Sequence, residues 1–237
     1  MSIPETKVAV ITGASQGIGA GLVEAYRKLG YAVVATSRNI AASDEPEFVT
    51  VQGDIADPAT AQRVIATAVE RFGRVDTLVN NVGVFVAKPF TEYTQEDYDV
   101  LTGVNLGGFF HISRLAVEQM LGRGSGHIVQ ITTSLVDHPN SAVNSVLASL
   151  TKGGLQAATK SLAIEYADRG IRSNAVSPGI VKTPMHPEAY HETLAALHPV
   201  GRMGEVGDIV DAVLYLENAP FVTGEILHVD GGQSAGH

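Results

Sequence analysis

The stretch VAVITGASQGIGAGLVEAY, residues 8–26, constrains this chain more than any other. An apolar, strand-like segment runs directly into a glycine-rich turn, and the turn opens into a segment of helical period. Gly13, Gly17 and Gly19 stand where a tight turn, close approach of backbone to a pyrophosphate, and close packing of helix on strand each disfavour a side chain. The N-terminus of the following helix would then face negative charge. Glycine spacing alone is a weak signal; the strand before it and the helix after it give it weight.

The rest of the chain repeats the alternation. Apolar segments at 7–11, 31–36, 47–52, 76–81, 127–131, 171–176 and 225–229 alternate with helical segments near 17–29, 58–72, 95–121, 144–168 and 206–217. That is the pattern of a parallel sheet with crossover helices. Several of the strands are apolar throughout, as strands covered on both faces should be. Residues 37–46 are too short and too polar for a crossover helix and predict a reduced turn. With 237 residues and no repeat, low-complexity tract or composition shift, the chain reads as a single domain over residues 1–237. Only 177–205 differs in texture. Four prolines and three histidines interrupt any long pattern there, and a connection this long predicts a substrate-covering lid, around 179–204.

Composition narrows the functional classes. There is no cysteine, which excludes disulfides, thiolate metal sites and cysteine nucleophiles. The eight histidines show no paired helical spacing, so no metal site is expected. A net charge of -9, with no local basic run, opposes binding to nucleic acid or anionic lipid. No stretch approaches 18 uninterrupted apolar residues and the N-terminus has no charged lead before an apolar run, so a cytoplasmic, soluble protein acting on a small molecule is expected.

The glycine loop has the spacing Gly-x-x-x-Gly-x-Gly after Thr12. In order after it come GDI (53–55), NNVG (80–83), VNLGGFF (104–110), AVSPGIVKTPM (175–185) and VDGG (229–232). On these residues the chain resembles the short-chain dehydrogenase/reductase family over nearly its full length. The resemblance implies a Rossmann-type, doubly wound α/β fold: a seven-stranded parallel sheet with helices on both faces, in a homo-oligomer, commonly a tetramer or dimer. It also implies a nicotinamide cofactor. Gly13, Ser15, Gln16, Gly17, Ile18 and Gly19 would hold the pyrophosphate, Asp54 and Ile55 would border the adenine, and Asn81, Val82 and Gly83 the adenosine ribose. Pro178, Gly179, Ile180, Val181 and Thr183 would meet the nicotinamide and the phosphates. A carboxylate at the end of the second strand would accept from a ribose 2′-hydroxyl and repel a 2′-phosphate. Here that strand ends in Ser37, Arg38 and Asn39, with no acid before Asp44. An arginine fork suits phosphate, so NADP(H) is the expected cofactor.

In that family an asparagine, a serine, a tyrosine and a lysine cooperate. The tyrosine protonates the carbonyl oxygen as hydride arrives. The lysine binds the nicotinamide ribose and lowers the tyrosine's pKa from about 10, the serine hydrogen-bonds the substrate oxygen, and the asparagine holds a water. Asn105 and Lys152 match two of these. The serine's place falls on Thr133, with Ser134 next to it, and either hydroxyl can keep the role. The tyrosine's place, four residues before Lys152 on the same helix face, is Ala148, and no tyrosine lies between Tyr98 and Tyr166. An alanine would leave space over the cofactor. Three accounts stay open. Another group supplies the proton (Ser134, Asp137, His138, His186, Tyr190 or a water held by Lys152). The substrate is an imine or iminium and needs no acid. Or the chain binds the cofactor without turning anything over.

Overall fold

The structure is a computed structural model in which residues 6–236 are described. Residues 1–5, on which part of the leader reading rests, and residue 237 lie outside the described residues. In chain order the strands are β1 (Val8–Thr12), β2 (Ala32–Ser37), β3 (Asp44–Glu45), β4 (Phe48–Gln52), β5 (Thr77–Asn80), β6 (Gly126–Ile131), β7 (Ile171–Pro178) and β8 (Ile226–Val229). They form one sheet in the order β3-β4-β2-β1-β5-β6-β7-β8. The seven expected strands are all present and parallel. The eighth corrects the expected count. Within the polar segment 37–46, which has no crossover helix, β3 returns along the sheet edge and pairs antiparallel with β4.

Helices α1 (Gly17–Lys28) and α7 (Val206–Asn218) cover one face, burying Leu22, Tyr26, Ile209 and Val213 against β1, β2 and β6. The other face is covered by α2 (Pro58–Phe72) and α4 (Gly108–Arg123), which bury Val64, Ile65, Ile112 and Met120, and α5 (Val146–Tyr166) lies along β7. Local chemistry places the ends of these helices. Asp57 caps α2 at the Ala59 N–H with Pro58 in the first turn, and Gly73 ends it in the left-handed region. Thr94 and Asp97 form a reciprocal capping box at α3 (Gln95–Leu101).

The predicted helix 95–121 is α3 and α4 joined by a π-helical turn over Thr102–Gly107, which carries Asn105. By length and apolarity alone the run Gln95–Arg123 could cross a membrane, yet α4 packs on α2 and the sheet as a core helix does. Strand order reverses between β1 and β5. In a parallel sheet that reversal opens a crevice at the carboxyl ends of the strands, which is where the motif residues gather.

The opposite edge of the sheet holds a buried polar network. Glu217, near the end of α7, accepts from Tyr26 (3.1 Å), Tyr31 (3.0 Å) and Thr77 (3.0 Å), and lies 2.8 Å from His127 Nδ1. Asn174 Nδ2 stands 3.1 Å from His127 Nε2, so Nε2 is an acceptor, the ring is neutral, and its Nδ1 hydrogen donates to Glu217. Burial disfavours the charged ring and lowers the pKa of His127. Burial alone would raise Glu217, but the donors around its carboxylate outweigh that and hold it below the usual carboxylate range.

Both folded pKa values lie below the unfolded ones, 6.5 for His127 and 4.5 for Glu217. The unfolded chain therefore takes up protons first, and stability present at pH 7 falls as the pH drops through those values. Glu217→Gln turns an amide hydrogen toward groups that donate. It should cost about 2 kcal/mol and about 5 °C of Tm at pH 7, and from pH 7 to 3 it should flatten the loss of Tm below about pH 5, where the unfolded chain begins to protonate Glu217. Thermal melts across that range check both effects.

Candidate active site

The turn after β1 is built as an anion cradle. Gly13 and Gly17 adopt φ of +66° and +55°, a region that side chains resist. A Cβ on Gly19 would lie 2.2 Å from the Gly13 carbonyl oxygen, so α1 can start this close only without one. Gln16 makes no capping bond at α1 and the first turn carries no acid, which leaves the first N–H groups available to an anion. Ser15 and Gln16 are exposed, and Ile18 packs toward the core. Thr12 Oγ1 accepts from the N–H groups of Asn81 and Val82, both at 3.1 Å, and ties the turn to the end of β5. Asn81 Nδ2 donates to the carbonyls of Thr12 and Gly13 at 3.0 and 3.1 Å. Asn81 therefore shapes the glycine loop with its side-chain amide. Thr183 packs against Gly17 from the other side of the crevice.

At the end of β2 the Ser37 hydroxyl accepts from the Asn39 N–H, and the Arg38 carbonyl accepts from Gln52. The Arg38 guanidinium is exposed and makes no hydrogen bond or ion pair among the described residues. Asp54 turns the chain by accepting from the Ala56 N–H, and Ile55 is buried under Gly108 of α4.

Deeper in the crevice Lys152 is buried, 9% exposed, with Nζ donating to the Ile131 carbonyl at 2.8 Å. Its ammonium occupies space that Gly83 leaves free: a Cβ there would lie 2.6 Å from Nζ. Burial pulls the Lys152 amine from 10.5 down to about 8. Asn105, also buried, clamps Val84 at both backbone groups, accepting from its N–H at 2.9 Å and donating to its carbonyl at 3.1 Å, and donates to Thr151 at 3.0 Å. The π turn aims Asn105 at this loop, a frequent use of such turns.

One helical turn before Lys152, Ala148 is 1% exposed. It clusters with Leu101 and Leu147, and Val84, Val86 and Tyr93 pack against that group. This corrects the expectation of open space at Ala148: the methyl group is covered by apolar side chains.

Thr133 and Ser134 differ in setting. Thr133 is partly exposed, and its Oγ1 accepts from the Leu135 N–H at 3.4 Å. Ser134 is 2% exposed and donates to Gln233 Oε1 at 2.9 Å. The other candidate donors are engaged elsewhere or exposed. Asp137 accepts from Gln156 at 2.9 Å and meets His228 at 3.1 Å, and His186 Nδ1 contacts the Val181 carbonyl at 2.9 Å. Tyr190 is exposed. His138 is partly exposed and donates its backbone N–H to the Ser134 carbonyl at 2.9 Å.

Pro178 ends β7, and the chain beyond it is pinched at its base, where Lys182 N–H donates to Gly204 and Gly204 N–H to Ile180, next to a bridge between Val181 and Gly204. The segment between holds α6 (His191–Ala195) and is less irregular than its prolines imply. Sequence reasoning missed His198 and Gln233, both buried at the foot of this segment. Neither has a spacing signal, because each finds its partners across the fold. Among the described residues no cluster of metal-ligating side chains occurs.

A parallel sheet with a phosphate-type turn, a crevice at its switch point and a buried lysine defines a dinucleotide-binding α/β protein. Residues 13–234 match the family model described as enoyl-(acyl carrier protein) reductase. L-xylulose reductase of Bos taurus is 37% identical, over 94% of this chain and 95% of its own. Among solved structures, ElxO with NADP bound aligns with a TM-score of 0.89 and 29% identity, over 98% of this chain and 100% of its own. The 3-ketoacyl-(acyl carrier protein) reductase of Brucella melitensis, complexed with NADH, aligns with a TM-score of 0.89 and 30% identity, over 97% and 99%. The chain belongs to the short-chain dehydrogenase/reductase family.

The buried amine has a consequence for stability. Between pH 8 and 10.5 the folded chain releases the Lys152 proton while the unfolded chain keeps it, so stability rises with pH there. At pH 7 the whole penalty is present, roughly 3 kcal/mol. Lys152→Met should therefore raise the Tm of the cofactor-free protein at pH 7 by about 8 °C. Calorimetry checks it; a lower Tm would mean that the ammonium stabilises the fold.

Proposed function

We propose that the chain is an NADP-dependent short-chain reductase that delivers hydride to a C=O or C=N bond of a small organic substrate, with a non-standard proton donor or none. One conjunction carries the reading: an anion-ready helix start, with no acid in its first turn, shares a crevice with a buried ammonium at Lys152 beside Asn105. The residues fit the cofactor. Gly13 to Gly19 and the start of α1 would hold its pyrophosphate, Arg38 its 2′-phosphate, and Lys152 its nicotinamide ribose. The free guanidinium of Arg38 supports the phosphorylated form, while solved relatives carry NADP in one case and NADH in another. A nicotinamide bound there supplies the hydride.

Relatives named for L-xylulose and 3-ketoacyl reduction support a carbonyl substrate. Ala148 supports an atypical site, since a methyl group donates no proton. For a C=O acceptor, the ionisable group buried in the crevice is Lys152, which holds a proton up to about pH 8. For an iminium acceptor the carbon already bears positive charge, and hydride addition yields a neutral amine without an acid. The segment 179–204 would close over the substrate. Exposed Phe110 on α4, with Val146, Leu150 and Ile164 on α5, supports the homo-oligomer that the family implies. A cytoplasmic location stays part of this reading.

Oxidation of NADPH is followed by absorbance with matched panels of ketones and cyclic imines. Ketone reduction should fall above about pH 8, as the Lys152 amine loses its proton, while reduction of N-alkylated cyclic iminium ions, which carry their charge at every pH, lacks that limb. Turnover of neither panel, despite tight NADPH binding, would leave a non-catalytic binder. Arg38→Asp should lower the preference for NADPH over NADH at least about tenfold, through repulsion of the 2′-phosphate. Ala148→Tyr should raise ketone reduction and impair imine reduction, with Tm measured alongside because the position is closely packed. If neither activity responds while the fold is retained, Ala148 does not border the reacting centre.

A further inference from the structure

We propose that Gln233, in the C-terminal tail, is a positioning residue that commits the proton of Ser134 and leaves Thr133 as the hydroxyl that meets the substrate; the Thr133 assignment rests on the reductase reading above. The two ends of an amide are not equivalent. Gln233 Nε2 lies 3.1 Å from the Leu197 carbonyl, and Oε1 lies 2.9 Å from Ser134 Oγ. The Leu197 oxygen can only accept, so the NH₂ end must face it; the reversed amide would set two oxygens together. Oε1 is then left facing Ser134, and it also can only accept. Ser134 must therefore donate, and its single hydrogen is spent inside the protein.

Thr133 is arranged in the opposite sense. Its Oγ1 accepts from the Leu135 N–H, and its hydrogen meets no protein acceptor among the described residues. Strand-like alternation accounts for the difference. Thr132 and Ser134 are both buried, with Thr132 donating to the Val176 carbonyl at 3.1 Å, while Thr133 between them is partly exposed.

The contacts of Gln233 extend to the foot of the lid. His198, 3% exposed, accepts the Ile180 N–H at Nε2 (2.9 Å) and meets the Leu194 carbonyl at Nδ1 (3.0 Å), so both ring nitrogens are committed. Asp230 accepts from the Gly232 and Ser234 N–H groups and holds the tail in place. Gly179 fits beneath this assembly: a Cβ there would lie 2.7 Å from His198 Nε2 and 2.9 Å from Gln233 Oε1. A lid that carried Leu197 away would release the amide, and with it the direction of the Ser134 proton.

The test joins hydrogen–deuterium exchange on the cofactor-free protein to kinetics. Gln233→Leu removes both amide bonds and should raise exchange at 194–200 and at the turn 133–137 together. Gln233→Glu keeps an acceptor for Ser134 but sets an oxygen against Leu197, so exchange should rise at 194–200 alone. Unchanged exchange at 194–200 in both variants overturns the role of Gln233. In turnover, Thr133→Val should lose about a hundredfold in kcat, Thr133→Ser should recover most of it, and the loss at Ser134→Ala should be at least about tenfold smaller than at Thr133→Val. A larger kcat loss at Ser134→Ala overturns the assignment to Thr133. If the wild-type chain binds NADPH and reduces nothing, the reductase reading and the Thr133 assignment both fail, and the exchange result alone decides the role of Gln233.

Discussion

The carboxyl edge of this sheet is organised by one costly placement, the burial of the Lys152 ammonium against the carbonyl of Ile131. A charged group taken out of water needs an acceptor and a closely shaped space. Ile131, at the end of β6, supplies the acceptor, and the missing side chain of Gly83 supplies the space. The loop that carries Gly83 must then be held still, and Asn105 holds it by gripping both backbone groups of Val84. The π turn in the long helix exists at the point where Asn105 has to face that loop. Cost to the apo fold and readiness for a ligand are two sides of this arrangement, as is common where function and stability compete.

The two edges of the sheet divide the work. At the amino edge the buried charged groups find their partners inside the protein: Glu217 gathers donors from α1, β5, β6 and the Tyr31 hydroxyl, and Arg172 donates to the carbonyls of Leu216, Glu217, Ala219 and Val222 around the end of α7. At the carboxyl edge several groups find no partner among the described residues, including the first N–H groups of α1, the Arg38 guanidinium and the Thr133 hydroxyl hydrogen. Unmatched polar groups collected along one crevice mark where a ligand belongs.

Much of this was legible in the sequence because the relevant physics is local. The parallel strands follow from short apolar runs, the cradle from glycines that tolerate positive φ, and the lysine from its place in a recognisable helix. The apolar cover over Ala148 was not legible, because its neighbours Val84, Val86 and Tyr93 come from a distant loop. That the Asn81 amide binds the glycine loop was not legible, because it depends on where two carbonyls converge. Gln233, His198 and Glu217 reach partners up to 191 residues away, and no periodicity or spacing encodes such meetings. The short β3 escaped because two polar residues on an edge lack a hydrophobic signature.

The proposed function requires that this crevice move hydride from a nicotinamide to a substrate. It is tested most directly by single turnover with NADPH carrying deuterium in the transferable position on the nicotinamide ring, followed by mass spectrometry of the product. One deuterium should appear on the reduced carbon, from at least one member of the ketone or cyclic imine panels. Label that stays on the bound cofactor with every panel member, under conditions where binding is saturated, would contradict it.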